Sequence, residues 1–202
     1  MTLEGIEGSG KTTHALLLAE YLKGKGLDVV LTQEPGGTPE GARIRELLLK
    51  PDYDWAPLAE LLLYAADRAQ HVERMIRPAL EAGRWVVCDR FSDSTIAYQA
   101  FGLGLPRDLV ERAAELAASG LEPDLTILLD IEPEEGLRRI GEGPDRIEMR
   151  GLEFHRRVRE GYLEIARSEP GRVFVVRSDR PVEEVHAEIV RIVELRLLRG
   201  GG

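Results

Sequence analysis

The segment Gly5-Ile-Glu-Gly-Ser-Gly-Lys-Thr12 decides how the rest of the sequence is interpreted. It fits the pattern G-x-x-x-x-G-K-[ST], in which glycines let backbone N–H groups turn towards phosphate oxygens. An apolar start, Met1 to Leu3, precedes the segment, and a helical pattern begins near Lys11. This is the strand, loop and helix context that a phosphate-binding loop (P-loop) requires. The segment therefore predicts a site for a nucleoside triphosphate.

The polar residues of the P-loop have expected partners on the nucleotide. We expect Lys11, on a solvated loop, to neutralise charge on the β- and γ-phosphates, and Thr12 to offer its hydroxyl to Mg²⁺. ATP and Mg²⁺ are the cofactors that this implies, although a plain glycine-rich turn remains the alternative. The predicted ATP-binding residues are Gly5, Ile6, Glu7, Gly8, Ser9, Gly10, Lys11, Thr12 and Thr13.

Short apolar runs alternate with amphipathic segments of helix length along the whole chain. Because strands that are buried on both faces are continuously apolar, this alternation favours a doubly wound α/β fold with a parallel sheet surrounded by helices. The predicted strands after the first are Val29–Leu31, Trp85–Cys88, Leu125–Ile131 and Val173–Val176. The predicted helices are Lys11–Lys23, Pro39–Leu49, Leu58–Glu81, Pro106–Ala118, Gly151–Arg167 and Val182–Leu198.

Length and composition indicate one globular domain over residues 1–202, because a chain of 202 residues that is 43% hydrophobic can bury one core. The polar, glycine-rich stretch Gly141–Met149 is expected to be a mobile loop within a lid of about residues 138–150. The terminal glycines 200–202 are expected to be frayed.

The charge and the cysteine content narrow the class of protein. A formal net charge of −9 disfavours binding to nucleic acid, which generally needs a basic face. The most apolar stretch, Leu58–Ala66, is interrupted by Glu60 and is too short to span a membrane. No secretion signal is recognised, and the single cysteine, Cys88, is expected to be a buried free thiol. We therefore expect a cytoplasmic protein with no membrane role.

Four further segments, taken together with the P-loop, resemble the thymidylate kinase family of bacteria. They are Glu34-Pro-Gly-Gly-Thr38, Tyr64-Ala-Ala-Asp-Arg-Ala-Gln-His71, Asp89-Arg-Phe-Ser-Asp-Ser-Thr-Ile-Ala-Tyr-Gln99 and Asp145-Arg-Ile-Glu148. The third is the most specific. The resemblance implies a kinase that phosphorylates dTMP to dTDP with Mg-ATP, and it implies a homodimer. Another small-molecule kinase with a P-loop, or an ATP-dependent switch protein, is the alternative.

The resemblance also implies roles for the acceptor-side residues. Asp89 would hold Mg²⁺ together with Thr12, and Arg90 would bind the dTMP phosphate, although a structural salt bridge between Asp89 and Arg90 is the alternative. Arg45 resembles a second phosphate contact and Glu34 a residue near the sugar. The residues expected to bind dTMP are Glu34, Pro35, Arg45, Tyr64, Arg68, Arg90, Ser94, Thr95, Tyr98 and Gln99.

The thymine site is expected around one helix face. The resemblance implies that the Tyr64 ring stacks on thymine and that the Arg68 guanidinium bonds a base carbonyl, which their spacing of four residues makes possible. Tyr98 would crowd the 2′ position of the sugar, with both tyrosines as plain core aromatics being the alternative. Two positions depart from the family: Tyr64 stands where Phe is common, and Gln33 where Arg is often found.

The expected chemistry needs no general base, because the second pKa of a phosphate monoester is near 6 and the acceptor oxygen is already mostly ionised. Cations must instead neutralise charge on the transferring group. Lys11 and Arg90 are predicted to do so, while Glu7 is expected to reach towards the dTMP sugar. Glu7 is followed by glycine, so the P-loop offers no arginine, and the resemblance implies that the lid supplies one. We favour Arg139 and Arg146 as catalytic residues over Arg138 and Arg150.

Overall fold

The computed structural model describes residues 1–141 and 144–198. Its core is a sheet of five strands in the order β2-β3-β1-β4-β5, and every neighbouring pair is parallel. The strands are β1 (Thr2–Glu4), β2 (Val29–Gln33), β3 (Trp85–Asp89), β4 (Thr126–Asp130) and β5 (Val173–Arg177). The prediction of a doubly wound parallel sheet is confirmed.

Helices follow each strand and cover both faces of the sheet. They are α1 (Lys11–Gly24), α2 (Pro39–Leu49), α3 (Pro57–His71), α4 (Arg77–Glu81), α5 (Ser92–Thr95), α6 (Arg107–Ala118), α7 (Pro133–Arg138), α8 (Leu152–Ser168) and α9 (Val182–Val193). The order of strands places β1 between β3 and β4, so the P-loop leaves the sheet where successive connections run in opposite directions. Ligands of open α/β sheets bind at such a point.

Two predicted helices contain π-helical turns. The predicted helix Leu58–Glu81 is a continuous helical rod in which the π-turn Val72–Ile76 joins α3 to α4 through residues of right-handed helical geometry. Similarly, α9 passes into a π-turn at Glu194–Leu198. A π-turn inserts a residue into the helix without changing the apolar spacing enough for sequence periodicity to reveal it.

Two further helical segments were not predicted. One is α5 with the π-turn Ile96–Gly102 that follows it, and the other is α7. Helix α5 has only four residues and no side-chain cap, so its conformation depends on burial, and Ala97 at the start of the π-turn is completely buried. Helix α7 contains Gly136, which packs against the P-loop.

The core lies on both faces of the sheet, because successive strand residues point to opposite sides. Ile127 and Leu129 pack with α1 and α9 on one face, while Leu128 packs with α8 on the other. Cys88 is buried and free, as expected.

Residues 141 and 144–149 form turns and irregular backbone, in line with the predicted loop. Glu142 and Gly143 of that loop, and the terminal glycines 200–202, lie outside the described residues. Across the described part of the chain, none of the helices combines the length and the apolar character that a membrane span requires.

Candidate active site

One cavity of about 360 Å³ opens at the carboxyl ends of β1, β2 and β3 and extends from the P-loop to α3. The predicted site residues that line it are Glu7, Gly8, Gly10, Lys11, Thr12, Thr13, Glu34, Pro35, Arg45, Tyr64, Arg68, Asp89, Arg90, Ser94, Thr95, Tyr98 and Gln99. Gln33, Leu49, Asp145, Ile147 and Glu148 complete the lining. The residues predicted for the nucleotide and those predicted for the acceptor therefore share a single space.

Lys11 is the first residue of α1 and is buried, so the expectation of a solvated lysine was wrong. Its Nζ donates to the Ile6 carbonyl at 2.7 Å and to Ser9 Oγ at 3.3 Å. Burial, with the neighbouring charge of Arg90, lowers the pKa of Lys11 to about 8, and Asp89 partly offsets the shift. A phosphate placed here would gain a desolvated cation that the loop itself holds in position.

Thr12 and Asp89 lie together, with Thr12 Oγ1 donating to Asp89 Oδ2 at 2.6 Å. Hydroxyl and carboxylate oxygens are the hard donors that Mg²⁺ prefers, and Mg²⁺ is commonly held by one or two protein oxygens plus phosphates and water. No cluster of three or more acidic, histidine or cysteine ligands occurs among residues 1–141 and 144–198. The pair therefore fits Mg²⁺ that arrives with a nucleotide.

Arg90 follows β3 in the left-handed region, with φ of 72°, a conformation that costs free energy in a residue other than glycine. Its Nη1 donates to the Gly5 carbonyl at 3.0 Å, and its Nη2 donates to Glu7 Oε1 at 2.9 Å. The guanidinium carbon also lies 5.0 Å from the centre of the Tyr98 ring. The salt bridge of Arg90 is thus with Glu7 in the P-loop, and its guanidinium lines the cavity.

Glu7 is an ionised carboxylate held from several sides. Tyr98 Oη donates to its Oε1 at 2.5 Å, and His155 Nδ1 lies 3.2 Å from its Oε2. Burial alone would raise the pKa of Glu7, but the contacts with His155, Arg90 and Lys11 lower it well below its ordinary value. The P-loop therefore places a fixed negative charge between its lysine and Arg90.

Arg68 is held in a fixed orientation beneath the acceptor side of the cavity. Its Nε donates to Glu34 Oε2 at 2.8 Å, and its Nη1 donates to Thr95 Oγ1 at 2.7 Å. Glu34 Oε1 in turn lies 2.9 Å from His71 Nδ1, and His71 Nε2 lies 2.7 Å from Thr32 Oγ1. The side chains of Arg68, Glu34 and His71 are all buried. Their contacts therefore fix the orientation of Arg68 and Glu34, the two that line the cavity.

The remaining predicted acceptor residues have individual partners. Arg45 Nη1 donates to the carbonyl of Pro35 at 3.0 Å, next to the cis peptide bond that joins Glu34 to Pro35. Ser94 Oγ donates to Glu4 Oε2 at 2.6 Å. Tyr98 is both a buried aromatic and a cavity residue.

The two favoured lid arginines do not line the cavity. Arg139 donates to Glu135 Oε1 at 3.3 Å and to the Ser178 carbonyl at 3.0 Å. Arg146 donates through Nε to the Leu48 carbonyl at 2.7 Å. Gly5, Ile6 and Ser9 of the P-loop also lie outside the lining.

Comparison with known proteins agrees with this geometry. A sequence model of the family described as Thymidylate kinase matches residues 3–189. The chain belongs to the thymidylate kinase family.

A thymidylate kinase of a Synechococcus strain is 51% identical over 197 residues, which is 98% of this chain and 95% of that protein. The thymidylate kinase of Symbiobacterium thermophilum is 49% identical over 207 residues, covering 100% of this chain and 97% of its own. A crystal structure of thymidylate kinase from Ehrlichia chaffeensis superposes with a TM-score of 0.80 at 37% identity, over 96% of each chain. The resemblance based on the five motifs is thus confirmed.

Sequence reasoning missed several residues that shape the site. Glu4 accepts from the Phe91 N–H at 2.7 Å and from Tyr162 Oη at 3.0 Å, and His155 contacts Glu7. Glu4 directly precedes the P-loop at the end of β1, a position that could have signalled a role. Tyr162 and His155 lie on α8, far away in the sequence, and only their apolar helix spacing was visible.

Proposed function

We propose that this chain transfers the γ-phosphoryl group of Mg-ATP to dTMP and so forms dTDP. The observation that carries the proposal is the continuity of one cavity from Lys11 in the P-loop to Tyr64 and Gln99. Donor and acceptor need to meet in line within one space, and this cavity is lined by the residues predicted for both. The family membership supports the same reaction.

The residues of the chain act by position and charge. The acceptor phosphate needs no base, so its oxygen attacks the γ-phosphorus while Lys11 and Arg90 balance the charge. Arg90 presents a planar fork that suits a phosphate, and its contact with Glu7 fixes the direction of that fork. Glu7 Oε1 accepts from Arg90 and Tyr98, and the same oxygen would accept from a sugar hydroxyl.

Thr12 and Asp89 would hold Mg²⁺. The ion would neutralise charge on the β- and γ-phosphate oxygens. The contact of 2.6 Å between their side-chain oxygens supports a shared role.

The thymine would lie against α3, between the Tyr64 ring and the polar groups of Arg68, Ser94, Thr95 and Gln99. Arg68 is pinned by Glu34, Thr95 and a backbone carbonyl, so a base bound to it would be bonded by a preorganised donor.

A coupled assay of ADP release tests this function. We expect dTMP to stimulate ADP release far more than AMP, GMP, CMP or UMP, because Arg68 and Gln99 would select thymine and Tyr98 would select deoxyribose. Equal rates with AMP would favour a different small-molecule kinase, and slow turnover unaffected by any monophosphate would favour an ATP-dependent switch.

A homodimer is part of the proposal. Helices α3 and α6 pack together through Leu61 and Val110, and they leave Leu58, Leu62 and Leu116 exposed by 47%, 56% and 82%. A second copy of the chain would cover such a surface. A stable monomer at micromolar concentration in sedimentation would contradict it. The single kinase domain, the lid boundaries, the absence of nucleic-acid binding and the cytoplasmic location stay predictions.

A further inference from the structure

Glu60 is a buried carboxylate on α3 that none of the roles above uses. Its side chain has no exposure, although it interrupts the most apolar stretch of the sequence. A buried carboxylate is costly unless charged or polar groups surround it. Glu60 also lies one and two helical turns before Tyr64 and Arg68, on the helix face that borders the cavity. Such a group needs an explanation in the function of that face.

Three side chains from other parts of the chain converge on Glu60. Arg150 Nη2 donates to Oε2 at 2.7 Å, and Arg146 Nη2 lies 2.7 Å from the same oxygen. Gln99 Nε2 donates to Oε1 at 3.2 Å. Arg146 lies between the cavity residues Asp145 and Ile147, Arg150 follows two residues after Glu148, and Gln99 itself lines the cavity. Glu60 thus connects α3, the π-turn after α5 and segment 145–150 at the end of the predicted lid.

The chemistry of Glu60 fixes the orientation of the Gln99 amide. An ionised carboxylate can only accept hydrogen bonds, so the amide nitrogen of Gln99 must face Glu60. The amide oxygen is then the end left to accept from a ligand. A base with an N–H in its Watson–Crick edge, such as thymine, offers a donor to that oxygen, whereas cytosine offers an acceptor at the same ring position.

The two arginines balance the charge of Glu60 and anchor segment 145–150. Arg146 is further tied to the end of α2 through its bond to the Leu48 carbonyl, and the guanidinium of Arg150 lies 4.6 Å from the centre of the Phe154 ring. Phe154 packs edge-on against Tyr98, with ring centres 6.1 Å apart. The segment is therefore seated on the acceptor side of the cavity through Glu60.

We propose that Glu60 is a positioning residue that sets the acceptor-base specificity of the site, by orienting the Gln99 amide and by anchoring segment 145–150 over the cavity. The proposal rests on the kinase function proposed above. It differs from the expectation that Arg146 acts on the transferring phosphoryl, because an anchored Arg146 affects binding of the acceptor and not the chemical step.

The first test is Glu60→Gln, with Glu73→Gln as the matched control. Glu73 lies on the same helical rod but is exposed, so the control makes the same change of charge without touching the cluster. We expect Glu60→Gln to raise KM for dTMP about tenfold or more, with kcat changed less than about threefold and KM for ATP unchanged. The preference for dTMP over dCMP, measured as a ratio of kcat/KM, should fall.

A second variant covers the case in which Glu60→Gln does not fold. Arg150→Met keeps the stem over Phe154 and leaves Arg146 to balance Glu60, so the core charge stays paired. We expect a smaller rise in KM for dTMP, again without a rise in KM for ATP. Where both single variants fold, the rise in KM for dTMP in the double variant should be smaller than the product of the two single rises, because both residues act through one cluster.

The outcomes separate the alternatives. The proposal is overturned if Glu60→Gln folds and its KM for dTMP and its preference for dTMP over dCMP equal those of Glu73→Gln. It is also overturned by a fall in kcat and melting temperature with KM and base preference intact, which would indicate a merely structural carboxylate. If only Arg150→Met folds, an unchanged KM for dTMP overturns it. Failure of the wild-type chain to turn over dTMP would instead reject the proposed kinase function.

Discussion

Gly8 is the tightest point between the P-loop and the rest of the fold, and replacing it with alanine should destabilise the protein in a measurable way. Gly8 has φ of +71°, and a Cβ there would lie 2.0 Å from the Gly136 carbonyl oxygen and 2.6 Å from its carbon. The left-handed conformation costs alanine about 1–2 kcal/mol. Forcing apart two packed backbones adds about 1–3 kcal/mol. Together the two effects should lower the free energy of unfolding by about 2–5 kcal/mol.

Gly26→Ala is the matched control, because Gly26 has φ of +84° and no atom within 4 Å of the added Cβ. At about 2–4 °C per kcal/mol for a chain of this size, Gly26→Ala should lower the melting temperature by about 2–8 °C and Gly8→Ala by about 4–20 °C. Thermal melting followed by circular dichroism measures both. Gly136→Ala approaches the same contact without the φ penalty, since its Cβ would lie 2.5 Å from the Glu7 carbonyl oxygen. Equal losses in Gly8→Ala and Gly26→Ala would refute the steric argument.

Lys11→Ala should lower kcat by about 10²-fold or more in steady-state kinetics. It should also lower the melting temperature, because the buried Ile6 carbonyl loses its hydrogen bond. An unchanged kcat would contradict the P-loop assignment. Glu4 has a pKa raised to about 7, mainly by burial and by the nearby Asp93 charge, against an ordinary value of 4.5. Its stabilising contribution is therefore present below pH 4.5 and lost as pH rises through 7, so Glu4→Gln should flatten the pH dependence of urea unfolding between about pH 5 and about pH 8 by up to one proton. If Arg139 acts on the transition state, Arg139→Ala should lower kcat by roughly 10³ with little change in KM; a normal kcat would assign that arginine to its bonds with α7 and the end of β5.

The parts of the fold that sequence revealed are those set by neighbours in the chain. The glycines and the lysine of segment 5–12 dictate a loop between strand and helix, and each strand was located to within two residues at its ends. The π-turn at Val72–Ile76 was invisible because hydrophobic spacing changes little across it. Helix α5 was missed because four residues carry no periodic signal, and burial of the following turn stabilises it.

Sequence predicted most of the residues that line the cavity, but not their contacts, and the favoured Arg139 and Arg146 lie outside the lining. Motif segments gave the residues that line the cavity, since they cluster at strand ends. The partners of those residues come from distant positions: Tyr162 contacts Arg90 across 72 residues, and Glu60 contacts Gln99 across 39. Whether Lys11 is solvated also depends on the packing of α1 against the sheet, which no local pattern reports. Burial and pairing are tertiary properties, and the errors lie there.

The pairing of charges suggests where phosphate groups bind. Arg90 is paired with Glu7 and Arg68 with Glu34, so each keeps a fixed direction while its full charge is offset nearby. Within residues 1–141 and 144–198, Lys11 and Arg45 have no carboxylate within salt-bridge distance, and both line the cavity. In a chain of net charge −9, two such cations in one cavity offer the strongest local attraction for a polyanion. Lys11 lies at the P-loop and Arg45 on α2, so under the proposed function each would attract one of the two phosphate-bearing ligands. Arg90 lines the same cavity with its fork already fixed, as transfer between two phosphates requires.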